Sequence, residues 1–214
     1  MQNVVSRNGA RRYAGLAIAL VLIAFGAAAV VQGLDGRATV RDALALEHVK
    51  GQEGMTPAGI AAKAKGAGLT NVPLPTCSVA GKSIDNGTDA RCFAEYMRVD
   101  ALVATGGKTY AQMPRFASKD GKGTDVEAQA LKLPNGVGMP NPARNVWITE
   151  TALSTALNTS YMAEQISLFG IAVGGAFLLV GLVIGAAALA GVRLPRVSRA
   201  QVRRTRREQV AQAA

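Results

Sequence analysis

Two long runs without a single charged residue constrain this 214-residue chain more than any other feature. The first, residues 14–31, reads AGLAIALVLIAFGAAAVV, and uncharged sequence continues to Leu34. The second, residues 166–192, reads ISLFGIAVGGAFLLVGLVIGAAALAGV. An α-helix rises about 1.5 Å per residue, so about 20 apolar residues cross a hydrocarbon core roughly 30 Å thick. A helix also satisfies its own backbone hydrogen bonds, which lipid demands. The runs therefore predict two membrane-spanning helices, the second long enough to span with tilt. A cleavable signal peptide competes for the first run, because a basic start and Ala27, Ala28 and Ala29 fit that pattern too. Signal h-regions are typically roughly 7–15 residues, and the greater length here favours an uncleaved anchor.

Charge sets the expected orientation. Arg7, Arg11 and Arg12 precede the first run with no acid among them. After the second come Arg193, Arg196, Arg199, Arg203, Arg204, Arg206 and Arg207 against one acid, Glu208. These ends supply +9 of the net +10, and residues 34–166 are nearly neutral. Lys and Arg beside membrane spans stay cytoplasmic, and two spans satisfy both ends at once. The expected division is a cytoplasmic N-terminus over 1–12, transmembrane helices over 13–34 and 166–192, an extracytoplasmic domain over 35–165 and a cytoplasmic tail over 193–214. The tail arginines predict contact with anionic lipid. No aromatic platform accompanies them, which disfavours nucleic acid.

Both spans are rich in small residues: Gly170, Gly174, Gly181 and Gly185 in the second, Gly15, Ala19, Ala24 and Ala28 in the first. Small side chains let helix backbones approach closely in lipid. That suits helix pairing, within the chain or with a partner, although Ala and Gly are also simply common in spans from GC-rich genomes.

Between the spans the pattern is helical but interrupted. Gly33 and Gly36 are positioned to loosen the first helix, and residues 39–49 read as a stalk ended by Gly51 and Gly54. Thr56 and Pro57 form an N-cap and N1 pair for a short helix closed by Gly66 and Gly68. Pro73 and Pro75 rule out a helix in the next segment, and residues 79–84 suit a small hairpin or loop. Asp89 then caps a helix to Thr105, with Phe93, Met97, Ala101 and Ala104 on one stripe. Residues 109–143 are rich in Gly and Pro and read as irregular. Asn141 and Pro142 start one long helix from Ala143 through the second span. Trp147, Leu153, Leu157, Tyr161 and Met162 on it are expected to meet the stalk. Aromatics are only 5% of the chain, so the external core is expected to be thin.

Cys77 and Cys92 have 14 residues between them. Outside the membrane thiols meet an oxidising compartment. A structural disulfide is the expected reading, stapling the Pro-rich loop to the helix beyond it. A redox pair is usually closer in sequence, and a metal site needs more ligands.

Other chemistry is sparse. His48 is the sole histidine, too few for zinc or iron ligation within one chain, and reads as a solvated helix residue. Gly106, Gly107, Lys108 and Thr109 resemble the end of a phosphate loop, but the leading glycine position holds Leu102, so the motif is absent. Glu164 lies near the expected membrane face. It suits a proton path or a partner's arginine, or more plainly marks the water side. Asn86 and Asn158 fit the glycosylation pattern, in a composition that looks bacterial. No catalytic, metal or cofactor-binding residue is expected.

The segments CFAEYMRVDALVATGGKTYAQMPRF, residues 92–116, and ETALSTALNTSYMAEQISLFGI, residues 150–171, carry a family resemblance. The chain resembles a group of uncharacterised two-span membrane proteins from actinobacteria and similar bacteria over most of residues 13–190. The resemblance implies the two-span architecture and no activity. Such proteins are sometimes labelled aromatic ring-opening dioxygenases, a label that a single histidine does not support.

The expected fold is an all-α membrane protein: a two-helix transmembrane hairpin whose long helices project into a small disulfide-stapled extracytoplasmic domain. The expected function is non-enzymatic, an accessory or interaction subunit of a bacterial membrane or envelope complex, acting through a protein partner or a second copy. That reading predicts a flat exposed apolar stripe on residues 143–165. An external ligand-binding or sensing module would instead hold a concave pocket between the helix of residues 90–105 and the Pro-rich segment. An enzyme would need acids such as Glu95 and Asp100 brought together in a cleft.

Overall fold

A computed structural model describes residues 2–190, with side chains from residue 9. The seven tail arginines, Arg193, Arg196, Arg199, Arg203, Arg204, Arg206 and Arg207, and the expected end of the second span at residue 192 lie outside the described residues. Four α-helices make up most of the structure: α1 (Gln2–Leu46), α2 (Pro57–Gly66), α3 (Gly87–Ala104) and α4 (Ala143–Ala190). Two 3-10 turns, Tyr110–Gln112 and Glu127–Gln129, lie between α3 and α4. Among the described residues there is no strand, only isolated β-bridges.

By length and composition α1 and α4 are each able to cross a membrane, with mean hydropathy of 2.6 and 2.4 in their most apolar windows. Only 11% of each window is buried, so neither is a helix enclosed by a soluble core. Contacts divide the described residues into two units, one made of residues 2–28 and 173–190, the other of residues 29–172.

In the first unit α1 and α4 meet through small residues. A Cβ added at Gly26 would sit 2.7 Å from the Gly174 carbonyl oxygen, and one at Gly181 would sit 2.8 Å from Ile23 and 3.1 Å from the Ala19 carbonyl oxygen. At Gly185 an added Cβ would make an ordinary 3.5 Å contact with Ala19.

In the second unit α1 runs unbroken past Gly33 and Gly36, contrary to the expected loosening. These glycines are close-approach points: a Cβ at Gly33 would lie 2.6 Å from the Ser167 carbonyl oxygen, and one at Gly36 would lie 2.5 Å from Ser167 Oγ. Gly170, farther along α4, faces the Ala29 carbonyl oxygen at 3.7 Å from an added Cβ. The helix stops at Leu46, earlier than the glycines predicted. His48 takes a left-handed φ of 50°, and the His48 N–H donates to the Ala45 carbonyl at 3.2 Å. His48 is therefore an exposed helix-stop residue rather than part of the helix.

The chain then pairs back on a segment 30 residues away in sequence. Gly51 N–H donates to Lys82 O at 2.8 Å, Gly81 N–H to Gly51 O at 3.0 Å, and Ile84 N–H to Val49 O at 2.9 Å. So residues 79–84 pair with the linker after α1 instead of forming a hairpin of their own. α2 starts as expected: Thr56 Oγ1 accepts from Gly59 N–H at 3.0 Å, with Pro57 in the first turn. α3 starts earlier than expected. Asn86, not Asp89, is the N-cap, its Oδ1 accepting from Asp89 N–H at 2.9 Å. Asp89 instead places its charge in the first turn, where it favours the helix dipole.

The main core gathers Val79, Ile84, Tyr96 and Val99, all at most 1% exposed, with Met55, Ile60, Ala64, Leu44 and Leu157. The expected α3 stripe is wrong in part. Phe93 and Met97 are only half-buried and Ala104 is exposed, while Cys92, Tyr96 and Val99 carry the burial. The reason is that α3 is held on its Cys92 side by the disulfide and by the Tyr96 hydroxyl, which donates to Cys77 O at 2.7 Å. Small residues (Gly87, Ala90, Ala94, Ala101) fill its other buried positions. A second cluster joins Ala101, Leu102 and Met113 to Trp147 of α4.

Residues 109–142 are irregular, as expected, but well tied. Phe116 bridges to both Thr124 and Pro140, and Lys132 to Gly138. Asn141 closes the segment, its Nδ2 donating to Pro114 O at 3.0 Å while its Oδ1 accepts from Ala143 N–H at the start of α4.

Candidate functional site

The disulfide is present between Cys77 and Cys92, with Cα atoms 6.1 Å apart. Its surroundings are structural: Tyr96 is fully buried beside it. Burial, and secondarily the Glu95 charge, raise the Tyr96 phenol above its ordinary value of 10.0, so it stays a neutral donor to Cys77 O.

Glu164 on α4 is 4% exposed. Its Oε1 accepts from Arg37 Nη2 at 3.1 Å and Nε at 3.3 Å, and its Oε2 accepts from Gly87 N–H at 2.7 Å. One carboxylate thus joins α1, α4 and the start of α3. Gly87 must be glycine here, since an added Cβ would lie 2.8 Å from both Glu164 Oε2 and Tyr161 Cα. One turn on, the Arg91 guanidinium sits 4.8 Å from the centroid of the Tyr161 ring. These contacts make Glu164 a clamp between the three elements. The sequence offered no sign of this pairing with Arg37, which depends on α1 continuing past Gly36.

Trp147 is the second anchor of α4. Its Nε1–H donates to Lys108 O at 2.9 Å and Thr105 Oγ1 at 3.2 Å. Gly106 and Gly107, at φ 62° and 78°, make the turn that presents these acceptors. The Gly-Gly-Lys-Thr sequence is therefore a helix stop and a socket for the indole, consistent with the missing phosphate motif. Arg144 stacks over Tyr110 with its guanidinium carbon 3.9 Å from the ring centroid.

The acids named for an enzyme engage separate cations. Glu95 pairs with Arg91 at 3.5 Å and Asp100 with Lys63 at 2.7 Å. No group of three or more His, Cys, Asp or Glu residues able to hold a metal occurs among the described residues. Asn86 is occupied as a cap, its Nδ2 donating to Asp85 and Asp89. An open depression of about 300 Å³ lies at the end of α2, bordered by Ala61, Lys65, Leu69, Asn71 and Leu74.

The outward side of α4 is different in kind. Trp147, Glu150, Leu157 and Glu164 are buried, and the last three recur every seven residues on one line. On the opposite line stand Ile148, Ala152, Thr155, Thr159, Met162 and Ile166, all exposed. Ile148, Met162 and Ile166 are 55%, 61% and 66% exposed. Met162, expected against the stalk, lies on the opposite side of α4 and is exposed, and Leu153 lies beside the inner line but is still 48% exposed. Between residues 145 and 169 no exposed residue of α4 is charged. The neighbouring stretch of α1 shows the usual alternative, with Asp35, Arg41 and Asp42 exposed.

Comparison of the chain with protein-family models, curated proteins and solved structures returns no match.

Proposed function

We propose that the chain is a non-enzymatic, two-pass membrane protein that serves as an accessory or interaction subunit of a bacterial membrane or envelope complex. In this reading residues 13–34 and 166–192 cross the inner membrane, both termini are cytoplasmic, and residues 35–165 lie outside. The arginine bias at the two ends and the disulfide support that orientation.

One observation carries the interaction reading: an exposed helical face that is uncharged from residue 145 to residue 169. A helix face that stays in water gains solubility from Lys, Glu, Asp and Arg, and α1 follows that rule. Ile148, Met162 and Ile166 stand exposed on it among threonines, and exposed apolar side chains grouped in this way support an interaction surface. The buried polar groups support the reading too, because Glu164 and Trp147 hold the α4 backbone in place and leave its outer face free. Gentle detergent extraction of the tagged chain from native membranes, followed by native mass and identification of co-purifying chains, tests it. A stoichiometric membrane partner is expected. A chain that runs alone at all detergent strengths would overturn the reading.

A further inference from the structure

The two halves of the Cys77–Cys92 bridge stand in different surroundings. Cys92, on α3, is 4% exposed and belongs to the buried cluster with Ala94, Tyr96 and Val99. Cys77 is half-buried, on the segment that leads from Pro73 to Val79. That segment is also tied down without the bridge. Pro75 is buried, the Cys77 carbonyl accepts from the Tyr96 hydroxyl, and Val79 N–H donates to Met55 O at 3.2 Å. The open side of the bridge is therefore the Cys77 side, and it carries a charge. Glu95 Oε2 lies 4.0 Å from Cys77 Sγ, at the surface. A sulfur in a disulfide has no proton to donate, so this is a carboxylate set against a sulfur and not a hydrogen bond. The other oxygen, Oε1, pairs with Arg91 one turn earlier at 3.5 Å, and the Arg91 guanidinium is itself placed over the Tyr161 ring. The ion pair orients the carboxylate so that Oε2 is the oxygen turned to the bridge. Its charge is felt by the neighbouring side chain too: the Tyr96 phenol is raised by burial and, after that, by Glu95.

We propose that Glu95 is an electrostatic guard of this bridge, which confines thiol attack to the Cys77 sulfur and slows it most for thiols that carry negative charge. A disulfide opens when a thiolate attacks one sulfur in line with the other. Here the incoming thiolate bonds to Cys77 Sγ, the Cys77–Cys92 bond breaks, and its electron pair leaves on Cys92 as a thiolate that then takes a proton from water. A second thiol attacks the sulfur of the first, releases Cys77, and leaves as the external disulfide. Two features of the structure oppose the first step. The negative charge spread over three sulfurs in the transition state develops beside the Glu95 carboxylate, where like charge disfavours it. The departing Cys92 thiolate is released into the buried cluster instead of into water, and a thiolate without solvent is a poor leaving group. Because Tyr96 and Met55 keep the Cys77 segment in place, the Cys92 thiolate stays within reach of the mixed disulfide and closes the bridge again. The side chains of Glu95 and Arg91 are 45% and 51% exposed, so water and salt screen the guard, and its effect is several-fold and not absolute. The bridge is thus a permanent staple towards small acidic thiols, and a reductant that opens it has to approach Cys77 with a neutral or cationic surround. The inference concerns the bridge alone and holds whichever partner the chain has.

The test uses the full chain in an uncharged detergent. Cys77 and Cys92 are the only cysteines, so a maleimide gel shift reads bridge opening directly. Three thiols are compared at equal thiolate concentration: glutathione, which is acidic, mercaptoethanol, which has no further charge, and cysteamine, which is basic. Glu95→Gln keeps the size of the side chain and removes its charge. It is expected to speed opening by glutathione several-fold, by mercaptoethanol less and by cysteamine least. Equal acceleration with all three thiols, the result of a merely loosened segment, would overturn the proposal, and so would no acceleration. Brief exposure of the native chain to glutathione, quenched with excess maleimide and mapped by peptide mass, locates the first attack. Glutathione is expected on Cys77 with maleimide on Cys92, and the reverse pattern would overturn the assignment of the attacked sulfur.

Discussion

Two buried polar side chains decide how the second unit holds together, and each makes a separable prediction. Tyr96 donates to Cys77 O from a fully buried position. Tyr96→Phe keeps the ring and removes the donor, leaving the carbonyl unsatisfied, so it should cost about 1 kcal/mol near neutral pH. The same phenol carries a pH dependence. Its native pKa is raised above 10.0 by burial and by Glu95, so the unfolded chain loses the proton first. The associated stability is whole below about pH 10 and falls as pH rises through the native value. Denaturant titrations in detergent on either side of about pH 10 should show that alkaline loss in the native chain and a smaller one in Tyr96→Phe. Glu164 is the stronger case. Glu164→Ala leaves Arg37 without its partner and the Gly87 N–H without an acceptor. Arg37 is 32% exposed, so water recovers part of the loss, and a cost of about 1–3 kcal/mol is expected. Glu164→Gln keeps an oxygen for Gly87 and should fall between. Thermal unfolding of the three chains orders them, and a Glu164→Ala chain as stable as the native one would remove the clamp from the account.

At the scale of elements, the glycines of α1 and α4 separate close approach from mere composition. Gly26→Ala would push a methyl against the Gly174 carbonyl and the Leu178 amide nitrogen, 2.7 and 2.9 Å away. Both are backbone atoms that cannot rotate aside, so a loss of about 1–3 kcal/mol is expected. Gly185→Ala meets only Ala19 Cβ at 3.5 Å and should be near neutral. Distances between spin labels on α1 and α4 should lengthen in the first variant and stay fixed in the second. The long helices were legible in sequence because periodicity hardly matters for a charge-free run of that length. The Thr56 cap, the early Pro of α2, the Asn141 start of α4 and the Cys77–Cys92 pair were legible for the same local reason: each is decided within a few residues or by compartment. What was not legible depends on distant partners. Gly33 and Gly36 read as breakers because nothing local reveals Ser167 behind them. Residues 79–84 read only as a small hairpin or loop because their partners, residues 49–51, lie far away in sequence. On α3, Phe93 and Met97 outrank Cys92 by apolarity, yet the disulfide turns the Cys92 side inward.

For the molecule as a whole, the compartment of the disulfide and the direction of the spans are one question. The Cys77–Cys92 bridge closes a loop of 15 residues in sequence separation, worth about 3 kcal/mol in the chain-entropy model. The core of the second unit is small, so that staple matters. Replacing both cysteines by Ser should therefore lower the denaturation midpoint and expose Pro75, now buried, together with the rest of the 70–84 segment to protease. The bridge persists only where thiols are kept oxidised, and the arginines at both ends favour the opposite side of the membrane. On the proposed topology both statements concern a single orientation. An impermeant phosphine reductant followed by an impermeant maleimide should label Cys77 and Cys92 in right-side-out vesicles and leave them unlabelled in sealed inside-out vesicles. A label on a tag at the C-terminus should show the reverse. If the cysteines and the tag respond from the same side, the second apolar run does not cross between them, and the two-span topology is wrong.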